Sequence, residues 1–340
     1  MRIYKVDYKA ESPIIVAKPS ISNLFNHYSN YILGSTIRGA ILTSLLREGV
    51  NVEDEMSKPS IVFHPAFPII NDQLYKPTHV LVYKCKICKK DPYNLLNPYE
   101  LDLCKFQEQL REKIPIKCKN EHPFALKPIG GELISINNGK INKYEPKYGI
   151  FDSVGINRVT GSSEINLIYT YIASLQEHYQ GLIVTNDLCK IEVEKLNGNE
   201  VFIGKGINRG FGIVKLKIKE ISKDDVIKRY KIKDKIVLKA ISPIFNLNIK
   251  DNGLITDTEF KIKGNICKVL SNGYTNVSGF SIVSNTAKVK LYALREGSLI
   301  LINNKNINDD DLANIELNGI GHFSCSGLNI VEVLNNDLPY

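Results

Sequence analysis

Five residues in one stretch have the types and spacing of metal ligands: Cys85 and Cys88, then Cys104, Cys118 and His122. A C-x-x-C knuckle puts two thiolates on one tight turn, at the bite of a tetrahedral zinc. Cys118 and His122 have C-x3-H spacing, so either Cys104 or His122 completes a set with Cys85, Cys88 and Cys118. The surrounding segment is rich in Lys, Asn and Pro and shows little apolar periodicity. It cannot build a core of its own, and a structural zinc is expected to order it. Reduced thiols in a polar loop are the plain alternative. Seven cysteines without a secretory segment favour thiols or metal over disulfides.

A second group suits anion binding. Gly204-Lys205-Gly206-Ile207-Asn208-Arg209-Gly210-Phe211-Gly212 holds four glycines, free to take positive φ and to lie close to a ligand. The strand that follows alternates, with Val214, Leu216 and Ile218 on one face and Lys215, Lys217 and Lys219 on the other. A glycine loop beside a row of ammonium groups suits a polyanion. The dinucleotide fingerprint does not fit, because the third glycine falls one residue late and a β-branched strand follows in place of a helix. No nucleotide P-loop is present. A glycine-rich hairpin that merely turns the chain is the alternative.

No nucleophile announces itself. The six histidines, His27, His64, His79, His122, His178 and His322, stand in no local Cys/His or Ser/His arrangement. His27, with Tyr28 and Tyr31, lies near the first helix, and His322 lies in the last glycine loop. A ribonuclease needs such a base near the 2′-hydroxyl. Glu53, Asp54 and Glu55 form a carboxylate cluster after the first helix, where a solvated turn is the plain reading.

The elements that must position these groups read as α+β. Residues 1–10 form a first strand, and Ser35 is placed to cap a helix from Thr36 to about Arg47. Ile165, Leu167, Tyr169 and Tyr171 alternate as a strand. Residues 221–234 are charged and serve as a linker before a second set of strands, with a helix start at Asp309-Asp310-Asp311. At 340 residues, 43% hydrophobic, the chain can fill two domains. A net charge of +8 favours an anionic partner. No apolar run is long enough to span a bilayer, and the N-terminus reads as a strand and not a signal peptide, so a cytoplasmic protein is expected.

The glycine loop has an echo in Gly319-Ile320-Gly321-His322-Phe323-Ser324-Cys325-Ser326-Gly327, followed by Leu328–Val333. Aligning Gly204 and Gly206 with Gly319 and Gly321 requires two extra residues before Gly327. Two copies argue for two related domains. The G-x-G…R-G-F-G-x-V pattern resembles the signature loop of the RAMP superfamily, the RNA-binding subunits of CRISPR effector complexes. Leu33-Gly34-Ser35-Thr36-Ile37-Arg38-Gly39-Ala40 is similar to the family's segment opening its first helix. Gly155-Ile156-Asn157-Arg158-Val159-Thr160-Gly161 is similar to its I-[DN]-R-x-T-G segment. The order of the motifs adds to each.

The resemblance implies two ferredoxin-like (RRM-like) β-α-β-β-α-β domains, at 1–220 with a zinc-binding insertion near 84–123, and at 221–340. It implies a non-catalytic subunit gripping the 5′ handle of guide RNA, beside backbone RAMP subunits and a large polymerase-like signalling subunit. The long C-terminal copy makes it most like the type III-D form. Lys205, Asn208, Arg209 and the backbone of Gly204, Gly206, Gly210 and Gly212 would hold phosphates, Phe211 would stack a base, and Ser35, Arg38, Asn157 and Arg158 would add contacts. The same superfamily includes guide-processing endonucleases and target-cleaving backbone subunits, which remain the alternatives.

Overall fold

The computed structural model describes residues 1–18, 27–87, 93–94, 120, 122, 126–137, 140–226, 235–245, 259–262, 265–281, 286–287, 290–303, 307–321 and 323–334. It is a mixed α+β protein of mostly antiparallel sheets. Among the described residues no helix is long and apolar enough to cross a membrane. The chain forms two compact units, one of residues 1–70 and 145–220, the other of residues 71–144 and 221–340.

Unit 1 is built on strands β1 (Arg2–Ala10), β2 (Ile61–Phe63), β3 (Phe67–Ile70), β6 (His178–Thr185), β7 (Glu200–Phe202) and β8 (Ile213–Ile221). Along the sheet the order is β7-β8-β1-β6-β3, with β2 also pairing β6. The last strand therefore lies beside the first, and the first beside the third main strand. Alternation sets the faces. Tyr4, Val6 and Tyr8 of β1 and Val214, Leu216 and Ile218 of β8 are buried in one core with Ile37, Ile41 and Leu45 of helix α1 (Gly34–Arg47). Two further strands, β4 (Tyr148–Ile156) and β5 (Ser163–Ser174), make a two-stranded ribbon of their own.

The start of α1 differs from the sequence expectation. Its N-cap is Leu33, in extended backbone and with no side-chain cap, and Ser35 is the second residue of the helix. After α1, a short helix α2 (Glu53–Ser57) buries Glu55, whose carboxylate accepts from Ser60 N–H at 2.8 Å, Ser60 Oγ at 2.6 Å and Ile61 N–H at 3.2 Å. The cluster is thus partly a structural staple and not only a solvated turn.

Unit 2 repeats the strand order. Strands β9 (Lys235–Ala240), β10 (Glu259–Ile262), β11 (Asn265–Leu270), β12 (Leu299–Asn303) and β13 (Val331–Val333) run β10-β11-β12-β9-β13, again with last beside first. Helix α3 (Asp309–Asn318) begins with a capping box, Asn308 accepting from Asp311 N–H and Asp311 from Asn308 N–H. It covers one face of the sheet through Leu312, Ala313 and Ile315.

The other face of this sheet meets described residues of the segment before it, Lys76 to Leu81. Leu81 packs with Val237, Leu299 and Leu301, and Lys76 pairs with Glu332 at 2.8 Å. Residues that the sequence pattern assigns to the N-terminal domain thus group with the C-terminal sheet. The reason is apolar: the outward positions of β9 and β12 need a cover, and this segment supplies it.

Candidate nucleic-acid interface

The glycine loop joins β7 to β8, and three different constraints hold it. Ile203 N–H donates to Gly212 O at 2.8 Å, which closes the hairpin. Gly212 N–H donates to Pro13 O at 2.9 Å and Lys205 N–H to Ile15 O at 3.0 Å, tying the loop to the chain after β1. Inside, a single 3-10 turn over Ile207–Arg209 is bracketed by Gly206 at φ 80° and Gly210 at φ 82°.

The glycines do unlike work. A Cβ on Gly204 or Gly212 would lie inside contact distance of a backbone oxygen, of Ile15 and Ile203 respectively. These two let backbone meet backbone, not ligand. A Cβ on Gly206 would come within 2.9 Å of the Phe211 ring. Gly210 alone has nothing within 4 Å, and it is exposed.

Phe211 does not present its ring to a base. It is 8% exposed and meets Phe151 edge-on at 5.1 Å between centroids, with Tyr171 at 6.1 Å, beside Ile15 and Ala173. The base-stacking role is therefore corrected: burial against the ribbon β4–β5 makes Phe211 the peg that fixes the loop. The backbone expectation is also narrowed. The N–H groups of Lys205, Arg209, Gly210, Phe211 and Gly212 all donate to protein carbonyls.

The side chains of Lys205, Asn208 and Arg209 are exposed. The Arg209 guanidinium lies over the Tyr171 ring, 4.9 Å from its centroid, a cation–π contact that limits its swing and orients its fork of N–H donors. Tyr171 and Phe151 are contributions that the sequence did not announce.

The other expected contacts lie elsewhere in unit 1. Arg158 is exposed at the ribbon tip, where Asn157 Oδ1 accepts from Val159 N–H at 2.9 Å and Thr160 N–H at 3.2 Å. Asn157 thus shapes the turn that displays Arg158. Arg38 is half-buried and donates from Nη2 to the Glu55 carbonyl at 3.0 Å, which anchors α2 on α1. Asp54 pairs with Lys190 at 2.8 Å, and that ammonium holds its carboxyl below the usual range.

Of the expected zinc ligands, Cys88, Cys104 and Cys118 lie outside the described residues, as does His322. Cys85 is buried at the end of a strand, Val82–Cys85, and its Sγ is 3.7 Å from His122 Nδ1. Residues far apart in sequence are brought together here.

Unit 2 contains the same loop frame, and its hydrogen bonds fix the alignment. Ile320 N–H donates to Asn329 O at 2.9 Å, as Ile203 does to Gly212. Asn329 N–H donates to Pro243 O at 2.9 Å, as Gly212 does to Pro13. Ile330 N–H donates to Ser242 Oγ at 2.8 Å, and Ile213 N–H to Ser12 Oγ at 2.9 Å. Gly204, Gly210 and Gly212 thus match Gly321, Gly327 and Asn329 with no inserted residue. The two-residue insertion expected from the glycine spacing is corrected, because that spacing pairs the wrong glycines.

Asn329 holds φ 60°, which asparagine tolerates better than other side chains. The two loops differ in chemistry. Asn208 and Arg209 correspond to Cys325 and Ser326, and the second loop buries Ser324, Gly327, Leu328 and Asn329.

No protein-family model matches the chain, and no curated protein matches its sequence. Solved structures do. A chain of the type III-B Cmr-beta complex bound to cognate target RNA and AMPPnP aligns with a TM-score of 0.53 and 17% identity, over 95% of this chain and 93% of that one. A chain of the type III-B Cmr-beta complex bound to cognate target RNA aligns with a TM-score of 0.51 and 14% identity, over 87% and 86%. At such identities the likeness is one of fold. The chain shares the fold of these two chains of type III-B Cmr-beta complexes.

Proposed function

We propose that this chain is a non-catalytic RNA-binding subunit of a cytoplasmic type III CRISPR ribonucleoprotein. It caps the 5′ handle of the guide RNA and contacts the large polymerase-like subunit, in the manner of the type III-D form. Both units are read as ferredoxin-like, which their shared order of last, first, third and second strand supports.

One observation carries the functional reading: of two loops with the same frame, only that of unit 1 displays Lys205, Asn208, Arg209 and an open Gly210. Charge-assisted donors on a fixed loop hold phosphates, and an open glycine lets a sugar-phosphate backbone come close. The non-catalytic reading rests on the work already assigned to Glu55 and Asp54, which bond within the protein.

The native complex tests this. Isolated with its RNA, it is expected to contain a large polymerase-like subunit and guide RNA, and the chain alone should leave repeat RNA and guide-complementary RNA intact with or without Mg²⁺. A product that His27→Ala abolishes would establish a guide-processing endonuclease. A product that Asp54→Asn abolishes would establish a target-cleaving backbone subunit.

We further propose a structural zinc held by Cys85, Cys88, Cys118 and His122. Two ligands of one tetrahedral zinc, a sulfur at about 2.3 Å and a nitrogen at about 2.1 Å, stand about 3.6 Å apart. The Cys85–His122 separation of 3.7 Å fits that geometry, which favours His122 over Cys104. Purified protein is expected to carry about one zinc per chain. Cys85→Ser or His122→Ala should lower that content, and Cys104→Ser should not. Metal-free protein prepared without chelator would refute the site.

A further inference from the structure

The two units repeat one frame, yet equivalent residues on the outer sheet face carry opposite charges. In unit 2, Lys239 of β9 stands opposite Glu332 of β13, and the two pair at 3.1 Å. Lys76 also reaches Glu332, and the nearby His79 is buried, which pushes its imidazole down to about 3 and keeps it neutral. Leu81 seals the same face against Val237, Leu299 and Leu301. Glu316 also acts on the Lys76 ammonium, so two lysines meet two carboxylates, and the face is closed by its own unit.

The hydrogen bonds that match Ser12 to Ser242 and Ile213 to Ile330 carry the alignment one turn of the pleat further. Lys9 takes the place of Lys239, and Lys215 takes the place of Glu332. A cation therefore stands where its counterpart holds the anion. By strand alternation Lys5, Lys217 and Lys219 share this side, opposite the core face of Tyr4, Val6 and Leu216.

All five lysines are exposed, and none pairs with a described residue. Two carboxylates share this side, Asp7, which accepts from Gln180 Nε2 at 2.6 Å, and Glu200 of β7 opposite Lys215, and the five lysines outnumber them. His178 sits beside Glu177 at 4.0 Å.

We propose that this open face of the unit 1 sheet is an RNA-backbone track, separate from the glycine loop. Like charges on neighbouring strands disfavour the folded sheet unless an anion comes between them. Ammonium groups on flexible stems hold phosphates as point charges and read no bases, so binding here is independent of sequence. The choice of RNA over an acidic protein rests on the RNA-binding reading of the loop. On unit 2 the equivalent face takes Lys76 and Leu81; on unit 1 the polyanion takes that place.

The test uses the full chain, a mixed-sequence single-stranded RNA as probe, and a salt titration. Lys5→Gln, Lys9→Gln and Lys217→Gln together should flatten the log–log salt slope by about 2, at about 0.7 for each phosphate no longer neutralised. Lys215→Glu combined with Glu200→Gln, which restores the pair found in unit 2 without a like charge opposite it, should weaken RNA binding while leaving Tm unchanged or raised. A gain in stability with a loss of binding is not what a structural lysine gives.

An unchanged slope in the triple variant overturns the proposal and leaves an acidic protein surface as the occupant. Arg209→Ala measured in parallel separates the two sites. If it alone loses affinity, the track fails and the loop stands; if only the lysine variants lose affinity, the loop reading fails and the track stands.

Discussion

Gly212→Ala is expected to destabilise the protein far more than Gly210→Ala, although both glycines have the same backbone conformation, φ 79° and 82°. A side chain at such φ costs about 1–2 kcal/mol by itself. At Gly210 that is the whole cost, because nothing lies within 4 Å. At Gly212 the new Cβ would run into the Ile203 carbonyl oxygen, and the hairpin's closing bond from Ile203 N–H would have to shift. Forcing a methyl into a packed site adds about 1–3 kcal/mol. Together the loss is about 2–5 kcal/mol, against about 1–2 kcal/mol for Gly210→Ala. Gly212→Asn should fall below the alanine variant, since asparagine relieves part of the φ strain and occupies the matching place in unit 2. Urea denaturation measures all three. Equal losses for the two alanine variants would mean that the close approach of Gly212 to Ile203 has no energetic weight.

For RNA binding the largest single effect is expected at Arg209. Its guanidinium is exposed and steered by Tyr171, so it meets a phosphate already oriented. Arg209→Ala should cost about 1.5–3 kcal/mol of affinity for a handle-bearing RNA. The log–log salt slope should flatten by about 0.7, the value for one single-strand phosphate. Arg209→Lys keeps the charge but loses the planar stack on the ring, and should lie between. Gly210→Val should also weaken binding, because a branched side chain fills the space through which the RNA backbone approaches. Each variant is compared on handle-bearing and scrambled RNA at one salt concentration, with folding checked by thermal melting. If Arg209→Ala weakens both RNAs equally, the loop is a general basic surface and the handle assignment falls.

The alternation of Val214, Leu216 and Ile218 with Lys215, Lys217 and Lys219 was fully legible, because a strand's two faces are a local property of its pleat. The positive φ of the loop glycines was legible from residue type, because glycine alone takes it without cost.

What the loop is fastened to was not legible. Phe211 reads equally as a base platform or a core residue until Phe151 and Tyr171 arrive from a ribbon some forty to sixty residues earlier. The correct pairing of the two loops depended on bonds to Pro13 and Pro243, each about a whole unit away in sequence, so glycine spacing alone matched the wrong residues. The grouping of residues 71–144 with the C-terminal sheet, and the approach of His122 to Cys85, are likewise long-range. The amino-acid order alone determines which face of an element is apolar and which residue types can bind. Only tertiary structure decides which distant element covers that face, and therefore which lysines remain open to an anion.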